Sequence, residues 1–233
     1  MKEKPTRKLY TELAGILKVM NKKCIYTRFP VAQGQFKDVT AVIMGACGNG
    51  KTTLMNNICG TNLSVGQGMH SVTQNITAEM VENIPAGGSF VIYDTAGTTS
   101  DVKVSLHAQL LRASLTHKPL NVVFAQTKYG VGRGIDSIKE LIRQMQMVGN
   151  YKSNVVFLVS HFDLADNPEQ MVRDFDHEMT LKKLTNQVIF YSNKDTAASS
   201  ARKKELALTL YNICSNYSKV NMQIREDVFI MNF

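Results

Sequence analysis

The 233-residue chain is 44% apolar and 20% charged, an ordinary globular balance that excludes disordered, collagen-like and fibrous classes. It is long enough for one α/β domain with short additions, and no run approaches the roughly 18 apolar residues of a membrane span. Charge is uneven: residues 1–37 hold nine basic and two acidic residues, a net +7, whereas the other 196 residues net +1.

Residues 1–37 read as a basic N-terminal arm. Within it Leu9, Leu13, Ile16, Leu17 and Met20 fall at helical spacing beside Lys18, Lys22 and Lys23, which predicts an amphipathic helix. Such an arm suits an anionic membrane surface or stays solvated beside the domain. Pro30 and Gly34 mark a connector.

From Val39 the chain alternates between strand and helix patterns. Strands are predicted at 39–44, 75–81, 90–93, 120–125, 155–159 and 188–191. The strand at 75–81 reads as an edge. Helices are predicted over 51–58 and around Leu106–Leu111. Ile135, Ile138, Leu141, Ile142, Met145 and Val148 form a helical stripe, a short helix falls near 169–176, and Leu206, Leu210, Ile213 and Tyr217 form a closing face. Alternation of this kind predicts a three-layer α/β fold, a mostly parallel sheet with helices on both faces. The expected organisation is an arm over 1–37, one nucleotide-binding domain over 38–220 and a tail over 221–233. Ligands of such sheets bind beyond the carboxyl ends of the strands, and each motif below sits at such an end.

Gly45-Ala46-Cys47-Gly48-Asn49-Gly50-Lys51-Thr52 fits G-x-x-x-x-G-K-[ST] between a strand and a helix, the context that gives this motif its meaning. Gly45, Gly48 and Gly50 let backbone N–H groups, including those of Cys47 and Asn49, close around phosphates at a positive helix end. Lys51 is expected to reach the β- and γ-phosphates, the Thr52 hydroxyl to ligate Mg²⁺, and Thr53 to complete the phosphate-binding set. Cys47 reads as a small filler whose side chain faces the γ-phosphate position.

The apolar strand Phe90–Tyr93 ends in Asp94-Thr95-Ala96-Gly97. Asp94 is expected to hold Mg²⁺ through water and the Gly97 N–H to meet the γ-phosphate. Between these motifs a polar loop runs from Gly66 to Thr77. Thr73 is the expected switch hydroxyl on Mg²⁺, with Ser71 and Thr77 as rivals. A third strand ends in Ser160-His161-Phe162-Asp163. A carboxylate at Asp163 would accept both guanine N1–H and N2–H, and adenine would leave it unsatisfied. Ser160 and His161 stand where [NT]-K is usual, with His161 along the base face. The competing reading makes Asp163 a cap for the next helix. Ser192 and Asn193, after the last strand, are expected at guanine O6. The four cysteines, Cys24, Cys47, Cys59 and Cys214, form no C-x-x-C pair, and reduced thiols in the cytoplasm are expected.

Gly45–Gly60, with Ser71-Val72-Thr73 and Ser160-His161-x-Asp163, resembles the GTPase of immunity-associated protein family and its relatives in chloroplast import. The resemblance covers about residues 38–195. It implies a P-loop NTPase fold of the Ras-like type, GTP and GDP as ligands, Mg²⁺, and nucleotide-dependent dimerisation across the active-site face. Asp94-Thr95-Ala96-Gly97 departs from the D-T-P-G common in that family. Ras-like proteins place Gln after D-x-x-G to orient the attacking water; here Thr98 and Thr99 follow, so slow hydrolysis is expected. Arg112 and Arg133 are candidate donors in trans. A non-hydrolysing GTP-binding scaffold and a P-loop ATPase remain as alternatives. No RNA-binding signature is present, and nucleic acid is not an expected partner.

Overall fold

The computed structural model describes residues 25–29, 31–32, 36–65, 76–95, 97, 115, 118–129, 134–223 and 225. Among them, seven strands form one sheet: β1 (Ile25–Thr27), β2 (Asp38–Gly45), β3 (Thr77–Met80), β4 (Ser89–Asp94), β5 (Val122–Lys128), β6 (Val155–Ser160) and β7 (Val188–Tyr191). Their order is β1-β7-β6-β5-β2-β4-β3. The five central strands are parallel, and β1 and β3 close the two edges antiparallel. The helices are α1 (Lys51–Cys59), α2 (Gly134–Met147), α3 (Pro168–Leu181), α4 (Asn193–Ala197) and α5 (Ser200–Ser215). This is the expected three-layer α/β fold.

Parallel strands buried on both faces need apolar side chains at every position. In β6 all six residues are buried: Val155, Phe157 and Val159 join the core under α2 and α3, while Val156 and Leu158 join the core under α1 and α5. The strand period of two sends neighbours to opposite layers. Truncating the fully buried Phe157 to Ala would cost about 3–5 kcal/mol.

Three differences from the expected organisation stand out. Ile25–Thr27, assigned to the basic arm, pairs with β7 as an edge strand, and Arg28 locks it down through an ion pair to Asp176 at 2.8 Å. The predicted short helix near 169–176 is 14 residues long. Asn167 caps it, its side chain accepting from the Gln170 N–H at 3.0 Å, with Pro168 in the first turn. The start of the tail is packed: just after Val220, which bridges Leu120, Met222 is buried, and the Arg225 N–H donates to the Met147 carbonyl at 2.9 Å. The predicted arm helix and the helix around Leu106–Leu111 lie outside the described residues.

Candidate functional site

β2 ends at Gly45 and the chain turns directly into α1, whose first residue is Lys51. Gly50 caps that helix with φ 83°, a left-handed conformation that glycine adopts without penalty. A Cβ there would also stand 2.6 Å from Asn193 Nδ2. The Lys51 side chain folds back over the loop, its ammonium donating to the carbonyls of Gly45 at 2.9 Å and Ala46 at 3.1 Å. Burial pushes the Lys51 pKa down, and Asp94 opposes that shift. A phosphate arriving beside it would push that pKa back up.

Asp94 ends β4 with no solvent exposure. Its Oδ2 accepts from the Thr52 hydroxyl at 2.8 Å, while its Oδ1 is buried with no partner among the described residues. Burial raises its pKa, and the Thr52 hydroxyl and Lys51 pull it back. An orphaned carboxylate oxygen beside a hydroxyl is what a hard cation would satisfy. Thr52 and Asp94 therefore fit Mg²⁺, which when bound would neutralise charge on bridging phosphate oxygens. Thr95 anchors the turn by donating to the Ile43 carbonyl at 2.7 Å. Beyond it Gly97 is buried against Cys47: a Cβ at Gly97 would collide with the Cys47 sulfur and stand 2.6 Å from its backbone N. Cys47 thus lies against the segment expected to sense the γ-phosphate.

Of the three switch hydroxyls, Ser71 and Thr73 lie outside the described residues, as do Thr98, Thr99, Arg112 and Arg133. Thr77 sits directly opposite Asp94 across β3 and β4, its hydroxyl buried without a partner among the described residues. Thr53 is half-buried on α1.

The base-recognition turn follows β6. Ser160 is buried, and its hydroxyl lies 2.9 Å from the Asn49 carbonyl, 3.2 Å from the Thr127 carbonyl and 2.9 Å from His161 Nδ1. That first contact ties the turn to the phosphate loop. His161 takes φ 62°, and burial lowers its pKa against the pull of Asp163. Phe162 is buried against Phe190 at 5.7 Å, which pins the turn to the core. Asp163, next to that anchor, is exposed, and no hydrogen bond to its carboxylate is found among the described residues. The helix that follows is capped by Asn167, so the capping role proposed for Asp163 is already filled. Ser192 is buried after β7. Asn193 donates to the Gly50 carbonyl at 3.2 Å and accepts from Asn57 at 3.1 Å through its own carbonyl, placing this segment beside the loop.

Three residues were not singled out from sequence. Gln126 of β5 donates to the Asn49 carbonyl at 2.6 Å and accepts from Asn49 Nδ2 at 2.9 Å. Gln144 of α2 donates to the Gln126 carbonyl at 3.1 Å. Asn57 joins α1 to Asn193. The signal available was a polar residue inside an apolar strand or helix stripe.

A glycine-rich strand-to-helix loop with its lysine, a hydroxyl–carboxylate pair for Mg²⁺ and an open carboxylate beyond the next strands define a P-loop nucleotide-binding domain. The pattern of the 50S ribosome-binding GTPase family matches residues 40–194, about two thirds of the chain, and the chain belongs to that family. It is a GTPase that uses guanine nucleotide and Mg²⁺. Comparison with curated protein sequences returns no match. Among solved structures it is similar to Toc33 from Arabidopsis thaliana in complex with GDP and Mg²⁺, at 15% identity over 94% of this chain and 95% of that one, TM-score 0.57. It is similar to Aquifex aeolicus Era bound to GDP.AlF4-, at 20% identity over 82% of this chain and 61% of that one, TM-score 0.55. A third structure, of chloroplast translocon components, matches at 13% identity over 92% of each chain, TM-score 0.57. At these identities the likeness is one of fold.

Proposed function

We propose that this GTPase is a slow switch, that Asp163 is its guanine reader, and that a second copy of the chain regulates it across the nucleotide face. The observation that carries the nucleotide reading is Asp94, one oxygen held by Thr52 at 2.8 Å and the other buried and open, beside Lys51. Slow turnover is supported by Thr98 and Thr99 in place of a water-orienting Gln. Regulation by a second copy is supported by the family resemblance and by one neighbour of like fold, described with the finding that dimerisation is important for the GTPase activity of the chloroplast translocon components atToc33 and psToc159.

Within its family we place the chain beside the GTPases of immunity-associated proteins, on the strength of Gly45–Gly60 and Ser160-His161-x-Asp163. We place it in the cytoplasm, with the +7 arm of residues 1–37 available to an anionic membrane surface. No helix among the described residues is long and apolar enough to cross a membrane.

Two measurements test this. Binding of GTP, GDP and ATP with Mg²⁺ is compared between wild type and Asp163→Asn; guanine preference that the variant loses supports the assignment. ATP bound as well as GTP, or a variant that keeps the preference, overturns it. Turnover per molecule is then followed as protein concentration rises. A rise supports regulation by a second copy, and a flat line rejects it.

A further inference from the structure

Beneath the phosphate loop runs a buried chain of polar side chains that no motif requires. Asn49 precedes Lys51 by two residues and is 4% exposed. It exchanges two hydrogen bonds with Gln126, at 2.6 and 2.9 Å. The Gln126 carbonyl has a second donor, Gln144 Nε2, at 3.1 Å. The same Nε2 donates to Glu140 Oε1 at 2.8 Å, and Glu140 pairs with Arg143 at 3.2 Å. An unbroken polar path thus leads from the phosphate loop, through β5, to the half-buried flank of α2. Glu140 weakly opposes the lowering of the Lys51 pKa by burial, after Asp94 and Cys47.

This path is poorly arranged for stability. Gln126 is fully buried and Gln144 is 1% exposed. The side-chain oxygens of both, and Arg143 Nε, have no hydrogen-bond partner among the described residues. Unsatisfied buried groups cost free energy that an apolar pair would not, and α2 already has an apolar stripe facing the sheet. What the path does supply is geometry. Asn49 is gripped at both ends of its residue: Gln126 Nε2 and Ser160 Oγ hold its carbonyl, and the Gln126 carbonyl holds its side-chain amide. The peptide between Asn49 and Gly50, one of those whose N–H groups face the phosphates, is thereby fixed in orientation. Gln144 fixes the Gln126 carbonyl from the other side.

We propose that Gln144, supported by Glu140, is a positioning residue for the phosphate loop, so that α2 sets how well the loop is formed before nucleotide arrives. The proposal rests on the nucleotide reading above. It concerns di- and triphosphate binding, since the loop is the expected phosphate cradle.

The test uses the full chain with Gln144→Met, a swap of nearly equal volume that removes both donated bonds and the orphan oxygen, and Glu140→Gln, which keeps shape and removes charge. For Gln144→Met, GDP and GTP affinities are expected to fall alike by about tenfold, the equivalent of one lost hydrogen-bond tether. The turnover number at saturating GTP should stay within about twofold. Glu140→Gln should show the same pattern more weakly. In nucleotide-free protein, hydrogen exchange over 46–52 should quicken in Gln144→Met while exchange in β6 and β7 is unchanged. That readout needs no ligand, so it separates this proposal from the nucleotide assignment. Quickened exchange with no guanine-nucleotide binding in the wild type would keep the coupling and sink the function. Unchanged loop exchange in a folded Gln144→Met, or affinities within twofold of wild type for both variants, would overturn the proposal. If Gln144→Met fails to fold, Glu140→Gln decides by the same two readouts.

Discussion

At the phosphate end of the site Lys51, Asp94 and Asn49 are buried, and each already makes hydrogen bonds. Lys51 bonds two carbonyls, Thr52 bonds Asp94, and Asn49 is held from three directions. At the base end the working group is exposed: Asp163 stands in water beside an anchored Phe162. The first region carries its desolvation cost in the folded protein before any ligand arrives, so nucleotide binding there needs little rearrangement. The second is cheap to build and gains strength only when a base excludes water around it. On the proposed reading of Asp163, affinity belongs to the phosphate end and discrimination to the base end.

Substitutions can break that division. Lys51→Met should have the largest effect, lowering affinity for every nucleoside di- and triphosphate by about two to four orders of magnitude, as two charge-assisted bonds at roughly 1.5–3 kcal/mol each imply. Equilibrium binding checks it, and an equal loss of guanosine itself would place Lys51 in the wrong role. Asp94→Asn should abolish the Mg²⁺ dependence of binding yet stabilise the nucleotide-free protein. The sign follows from the raised pKa: the folded state holds the Asp94 proton more tightly than the unfolded state, so stability falls as pH rises from the ordinary carboxylate value through the folded one. The variant escapes that loss. At pH 7 its Tm should rise by a few degrees, about 2–4 °C per kcal/mol for a chain of this size, and the gain should vanish near pH 4. A lowered Tm at neutral pH would contradict the burial argument.

Ser160→Ala should act across the division, because its hydroxyl joins the two ends. Losing about 1 kcal/mol of hydrogen bonding should weaken guanine nucleotides roughly fivefold, with di- and triphosphates of other bases less affected. Equal weakening of all of them would mean that Ser160 serves only the loop. Asn167→Ala should have the smallest effect on function. It removes the α3 cap, costing about 1 kcal/mol of stability, and should leave guanine preference intact. A shift in preference would show that the cap and Asp163 are not independent.

The phosphate loop was legible because its residues are contiguous and its context, strand then helix, is encoded beside it. The pairing of Asp94 with the loop was legible for the same reason, since Asp94 ends an apolar strand. Gln126, Gln144 and Asn57 were not, since each is a lone polar residue in an otherwise apolar or helical pattern, and its partners lie as far as 136 residues away. The edge strand Ile25–Thr27 escaped for a related reason. Three residues are too few for a period, and the surrounding basic charge masked them; only the partner strand β7 makes them a strand. Asp163 itself could not be separated from a cap by sequence; in the structure Asn167 holds the cap, which leaves the base contact as the role proposed for Asp163.

That short strand has a practical consequence for handling the protein. β1 covers the backbone hydrogen-bonding groups along one side of β7, with Arg28 fastening it to Asp176. A shortened form beginning at residue 38 would leave the apolar strand Val188–Tyr191 with a bare edge, and bare edges recruit other chains into mixed sheets. Trimming the basic arm to study lipid contact should therefore stop before Ile25, or precipitation will be mistaken for a loss of function.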